Sequence, residues 1–89
     1  MKNQKITICV ERGYYFGGEI ENGKLSLVSE VYGDDFESER RYEFSRQETT
    51  RLFEIVSVDG FVEMCKQEGT TGLDMFLQNH HITCQCVTI

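Results

Sequence analysis

Asn22-Gly23 is the pair of residues that most limits what this chain can fold into. Asn-Gly is the preferred pair for a type I′ turn, in which both central residues take positive φ. It is flanked on both sides by alternating residues, so it predicts a hairpin with a two-residue loop. The pairing then follows: Glu21 faces Lys24, Ile20 faces Leu25, Gly18 faces Leu27, Phe16 faces Ser29 and Tyr14 faces Val31. The last four pairs share one almost wholly apolar face. The other face carries Glu21 with Lys24, Glu19 with Ser26, Gly17 with Val28, and Tyr15 with Glu30. One side is core and the other is not, as in an antiparallel sheet covered on one face.

Upstream, Ile6, Ile8 and Val10 alternate with polar residues and predict a half-buried strand. Gly13 supplies the positive φ of the turn that follows. A three-residue loop, residues 12–14, would put Ile6, Ile8 and Val10 on the core face, opposite Ile20, Gly18 and Phe16. A two-residue loop would send all three outward, because a one-residue slip inverts a strand. The three-residue loop is therefore expected. Downstream, residues 34–39 are polar and acidic apart from Phe36 and read as a loop. Residues 40–44 read as a strand with Tyr42 and Phe44 inward and Arg41 and Glu43 outward.

That strand feeds into Ser45, whose S-x-x-E spacing to Glu48 is that of a capping box. Thr49, Leu52, Phe53 and Val56 follow at helical spacing on one stripe, with Arg46, Gln47, Thr50, Arg51 and Glu54 on the other side. Asp59 is positioned to cap a second helix containing Phe61, Val62, Met64 and Cys65, with Gly69 as its stop. Thr71 and Asp74 are placed to open a third, with Leu73, Met75, Phe76 and Leu77 apolar and Asn79 ending it. Residues 82–89 are β-rich. The expected architecture is one α+β domain over residues 1–89, in the order β-β-β-β-α-α-α-β. Its mainly antiparallel sheet has three short helices packed on one face.

Composition narrows the function. Fifteen acidic residues against nine basic ones give a net charge of −6. Such a field repels nucleic acid and anionic membranes and favours basic partners. No leader-like or membrane-length apolar run is present, so a cytoplasmic protein with four reduced cysteines is expected. His80, His81, Cys84 and Cys86 invite a zinc reading, but Cys84 and Cys86 are two apart in a strand rather than in a C-x₂₋₄-C knuckle. They read as core thiols on the face of Ile82. A bridge between them would have to span roughly 6.5–7 Å between Cα atoms. The two histidines sit where a helix ends, a position its dipole favours. No nucleophile or metalloprotease motif accompanies them. Neither catalysis nor a cofactor is expected.

The outer sheet face carries the most functional information. Tyr15, Val28 and Tyr32 form an apolar island, and around it lie Glu19, Glu30, Asp34, Asp35, Glu37, Glu39 and Glu43. Tyrosines inside an acidic rim suit a binder of a basic protein. The alternative is a regulatory module that forms a homodimer through its sheet.

Residues 41–82 also carry a family pattern. Tyr42-Glu43-Phe44-Ser45-Arg46-Gln47-Glu48-Thr49-Thr50-Arg51-Leu52-Phe53 is followed by Asp59-Gly60-Phe61-Val62-Glu63-Met64-Cys65 and by Gly72-Leu73-Asp74-Met75-Phe76-Leu77. This resembles the small immunity proteins of contact-dependent growth inhibition and related polymorphic toxin systems. Most of the matched positions are caps and core, and no functional residue carries over. The resemblance implies a cytoplasmic inhibitor that binds a toxin domain, often a nuclease with a basic active-site cleft.

Overall fold

A computed structural model describes residues 3–33 and 37–88 of the chain. Its elements run β1 (Gln4–Glu11), β2 (Tyr14–Glu21), β3 (Lys24–Tyr32), β4 (Glu37–Glu43), α1 (Arg46–Ile55), α2 (Val58–Asn79) and β5 (Gln85–Thr88). The five strands form one sheet in the order β1-β2-β3-β4-β5, with every neighbouring pair antiparallel. The α+β architecture therefore holds, with two helices rather than three.

Asn22 and Gly23 have φ of 55° and 77°, and the β2–β3 register is the one the turn dictates, from Glu21 opposite Lys24 to Tyr14 opposite Val31. The first hairpin differs from expectation. Glu11 faces Tyr14 across a two-residue connection, and the register shifts between Thr7 and Cys9. A bulge at that point adds one residue to β1. It keeps Ile6 and Ile8 buried while Val10 turns to the outer face, 65% exposed. The bulge thus resolves the conflict between turn length and hydrophobic pattern without the three-residue loop.

β4 begins at Glu37, within the segment expected to be a loop. Tyr32, Val31 and Glu30 pair with Glu37, Ser38 and Glu39. Satisfying the backbone groups of β3 outweighs the low strand propensity of Glu and Ser. Asp34, Asp35 and Phe36 lie outside the described residues.

Ser45 caps α1 by accepting a hydrogen bond from the Glu48 N–H at 3.2 Å. Glu48 does not close the box. Its carboxylate accepts from the Thr83 N–H at 2.7 Å and from Arg51 at 2.9 Å, which ties α1 to the segment leading into β5. Thr49 is fully buried; its hydroxyl accepts from the Leu25 N–H at 2.9 Å and donates to the Ser45 carbonyl at 2.8 Å.

α2 is capped by Ser57, which accepts from the Gly60 N–H at 3.0 Å, and not by Asp59. The two helices expected here are one element broken at Gly69, where φ is 67° and ψ −157°. Phe61 and Cys65 before the break and Gly72, Leu73 and Leu77 after it are all buried. Both halves therefore lie on the sheet, and the chain has no reason to leave it at Gly69. Helix and sheet close over a core that includes Ile6, Ile8, Phe16, Ile20, Leu25, Leu27, Tyr42, Phe44, Leu52, Phe61, Leu73 and Ile82. Phe53 meets Phe61 edge-to-face across the helix pair, with centroids 5.8 Å apart.

The expectation that Cys84 and Cys86 share a buried face with Ile82 holds for Ile82, which is buried, and in part for Cys84, which is half-buried against the core. It fails for Cys86, which is exposed with the rest of β5 at the edge of the sheet.

Candidate functional site

The uncovered side of the sheet can be followed row by row, since residues opposite one another on antiparallel strands share a face. One row is Val10–Tyr15–Glu30–Glu39, and beyond it lies Tyr32 opposite Glu37. The next row inward is Thr7–Gly17–Val28–Arg41–Val87, and the next is Lys5–Glu19–Ser26–Glu43–Gln85.

The structure brings together five of the residues singled out from sequence: Tyr15, Glu30, Tyr32, Glu37 and Glu39. They occupy the end of the face that β3 and β4 share, and Glu30, Tyr32, Glu37 and Glu39 line a shallow cleft there with Val31 and Ser38. Glu19 and Glu43 lie at the other end. Ser26, their common neighbour, lies four positions from Glu30 along β3, or about 13 Å. Glu43 is also engaged locally, accepting from the Ser26 hydroxyl at 2.9 Å. Asp34 and Asp35 are outside the described residues.

Within the cluster, Glu30 and Glu39 stand directly opposite one another. Like charges in that position destabilise a sheet. Arg41 relieves one of them, with Nη2 3.2 Å from Glu39 Oε1. No comparable ion pair involves Glu30 or Glu37 among the described residues.

The two tyrosines are not equivalent. Tyr15 is half-buried and lies down over Gly17: a Cβ added at Gly17 would fall 2.5 Å from Tyr15 Oη and 2.8 Å from the Ile6 carbonyl oxygen. Glycine is required under that ring, and the ring covers backbone that would otherwise be bare. Tyr32 is 46% exposed and is held through its backbone, where its N–H donates to the Gly13 carbonyl at 2.9 Å. Tyr32 is the freer side chain for contact with a partner.

Sequence reasoning missed Val10 and Val87 as parts of this face. The alternation of β1 places Val10 inward, and nothing in it announces the bulge that turns the side chain out. Val87 is 42% exposed beside Arg41, and only the β4–β5 register places it there.

On the helix side of the sheet, Arg40, Tyr42 and Asp74 form a second polar group. Arg40 Nη1 donates to Tyr42 Oη at 3.2 Å and lies 3.4 Å from Asp74 Oδ2, and the Tyr42 hydroxyl donates to Asp74 Oδ1 at 3.2 Å. Burial pushes the Tyr42 phenol up to about 12, so it stays protonated as the donor. This group pins α2 to β4. Burial likewise raises the Cys65 thiol to about 12 and the Cys84 thiol to about 11, which makes both weak nucleophiles. His80 caps α2 against the ring of Phe76, with centroids 4.5 Å apart. His81 adopts φ 54°, and its carbonyl accepts from Arg51 at 3.3 Å. Among the described residues, no cluster of three or more His, Cys, Asp or Glu is arranged to hold a metal ion. None of the described helices is long and apolar enough to cross a membrane. No family model, curated protein or solved structure matches this chain.

Proposed function

We propose that the outer face of the sheet docks a basic protein, and that the chain is a non-catalytic immunity protein, cytoplasmic, which neutralises a nuclease-type toxin domain by covering its basic surface. The observation that carries this reading is the Tyr15–Glu30–Glu39 row with Tyr32 and Glu37 beside it. Three carboxylates are gathered at one end of an uncovered face, two of them directly opposed, at a cost to the fold that a cationic partner would reverse. Aromatic side chains at the same spot supply apolar contact for an interface core. The resemblance of residues 41–82 to immunity proteins supports the choice of a toxin as the partner.

The test is protection of cells against the toxin domain encoded next to this chain's gene, with binding kinetics measured in parallel. Glu30→Lys, Glu37→Lys and Glu39→Lys together are expected to slow association, and the wild-type rate is expected to fall with added salt. Tyr32→Ala is expected to raise the off-rate, costing about 2 kcal/mol of binding. If both variants protect and bind as wild type does, the docking surface is not this face. If the neighbouring gene encodes no toxin domain, the immunity reading fails even where the face binds another basic protein.

A further inference from the structure

The two edges of the sheet are built differently. β1 is bulged between Thr7 and Cys9 and carries Lys5 and Glu11. Besides shortness, bulges and charges keep an edge strand from pairing with another chain. β5 has neither. Its register with β4 is unbroken from Gln85 to Thr88, and all four residues are exposed. The longest stretch of sequence without Asp, Glu, Lys or Arg runs from Met75 to the final Ile89, and β5 lies in it. Residues 82–89 contain no proline or glycine and include two Thr, two Ile and one Val. An uncharged segment rich in β-branched residues is the kind of strand that pairs readily.

We infer that β5 pairs antiparallel with β5 of a second copy of this chain, forming a two-fold dimer with one continuous sheet. A second copy fits better than a basic partner, which gains nothing from an uncharged edge. Two chains of net charge −6 repel over most of their surfaces, and this edge lets them approach without opposing carboxylates. The guarded β1 edge prevents the head-to-tail pairing that would build an open fibre, so the assembly closes at two.

Symmetry fixes the possible registers. Opposed residues of an antiparallel pair point to the same side of the sheet. A two-fold perpendicular to the sheet therefore passes through a pair of identical residues, setting Cys86 opposite its own copy or Val87 opposite its own copy. In either register the two outer faces lie on the same side. Four residues of strand make a small contact, so the dimer dissociates in the micromolar range or above.

This inference does not rest on partner binding, and its test uses the chain alone. Sedimentation velocity over a concentration series reaching the millimolar range should show reversible dimerisation. A short bismaleimide should cross-link wild type through Cys86, and Cys86→Ser should abolish the cross-linked dimer. Gln85→Lys places a charge on the edge, next to Glu43 of its own subunit, and should raise the dissociation constant about tenfold or more with an unchanged circular dichroism spectrum. A wild type that stays monomeric throughout the series overturns the inference. So does a dimer that ignores Gln85→Lys and does not cross-link through Cys86. Should Gln85→Lys fail to fold, the wild-type cross-link decides.

Discussion

Toward the helices, β2, β3 and β4 present Phe16, Ile20, Leu25, Leu27 and Tyr42, all buried. Away from them, the same strands present Tyr15, Glu30, Tyr32, Glu37 and Glu39. One backbone thus serves two purposes with a period of two. The covered face gives buried polar groups partners: the Leu25 N–H has Thr49, and the Tyr42 hydroxyl has Asp74. The open face does the reverse, keeping Glu30 opposite Glu39 with an ion pair, among the described residues, at Glu39 and not at Glu30. Stability is concentrated on the first face, and the second retains an arrangement that stability alone would not select.

The sharpest way to break this contrast is to damage the covered face. Leu52→Ala is expected to cost roughly 2–5 kcal/mol by opening a cavity, read as a large fall in melting temperature. An unchanged melting temperature would mean that α1 does not bear on the core as described. Thr49→Val keeps the shape but leaves the buried Leu25 N–H without an acceptor. It is expected to cost about 1–3 kcal/mol in denaturant unfolding, more than Thr50→Val on the exposed side of the same helix.

A pH series probes the covered face without mutation. The Cys65 thiol, ordinarily 9.0, is raised by burial to about 12. Above pH 9 the unfolded chain loses this proton while the folded chain keeps it. The stability it contributes is therefore whole below about pH 9 and is lost as pH rises toward 12. Cys65→Ala should flatten the alkaline fall in stability, and an equally steep fall in that variant would show that Cys65 is not the group responsible. The smallest expected effect belongs to the open face. Glu30→Gln removes the like-charge pair and should raise stability by roughly 0.2–0.5 kcal/mol while weakening binding of a basic partner. A loss of stability instead would show that the pair is already neutralised within the fold.

Much of the covered face could be read from the sequence. Asn22-Gly23 determines the β2–β3 register because that dipeptide has few other conformations, and Ser45 marks where α1 starts because its hydroxyl has one near acceptor role. The losses have separate physical causes. Val10 departs from its expected face because a bulge alters parity without leaving a trace in hydrophobic alternation. Residues 37–39 depart from the expected loop because pairing with β3, a tertiary effect, overrides local propensity. Gly69 does interrupt the helix, with φ 67°; what local signals do not show is that the apolar residues on both sides continue along the sheet, so that the two halves form one element. Of the candidate site, the tyrosines and acids of β2 and β3 were legible through hairpin register. The separation of Glu19 and Glu43 from the rest was not, since it depends on how β4 pairs.

The order of the strands has a consequence for how this molecule assembles. β1 to β4 form a meander in which each strand pairs with the next across a short connection, whereas β5 reaches β4 only after both helices have been traversed. Closing short loops loses little chain entropy, and closing the long one loses more. The meander, and with it the tyrosine–carboxylate surface, is therefore set to form early, and the β4–β5 ladder late. In native-state hydrogen exchange, the amides of β5 should open at lower free energy than those shared by β2 and β3. The strand that completes the sheet is then expected to be the first to leave it, and the tyrosine–carboxylate surface to outlast its departure.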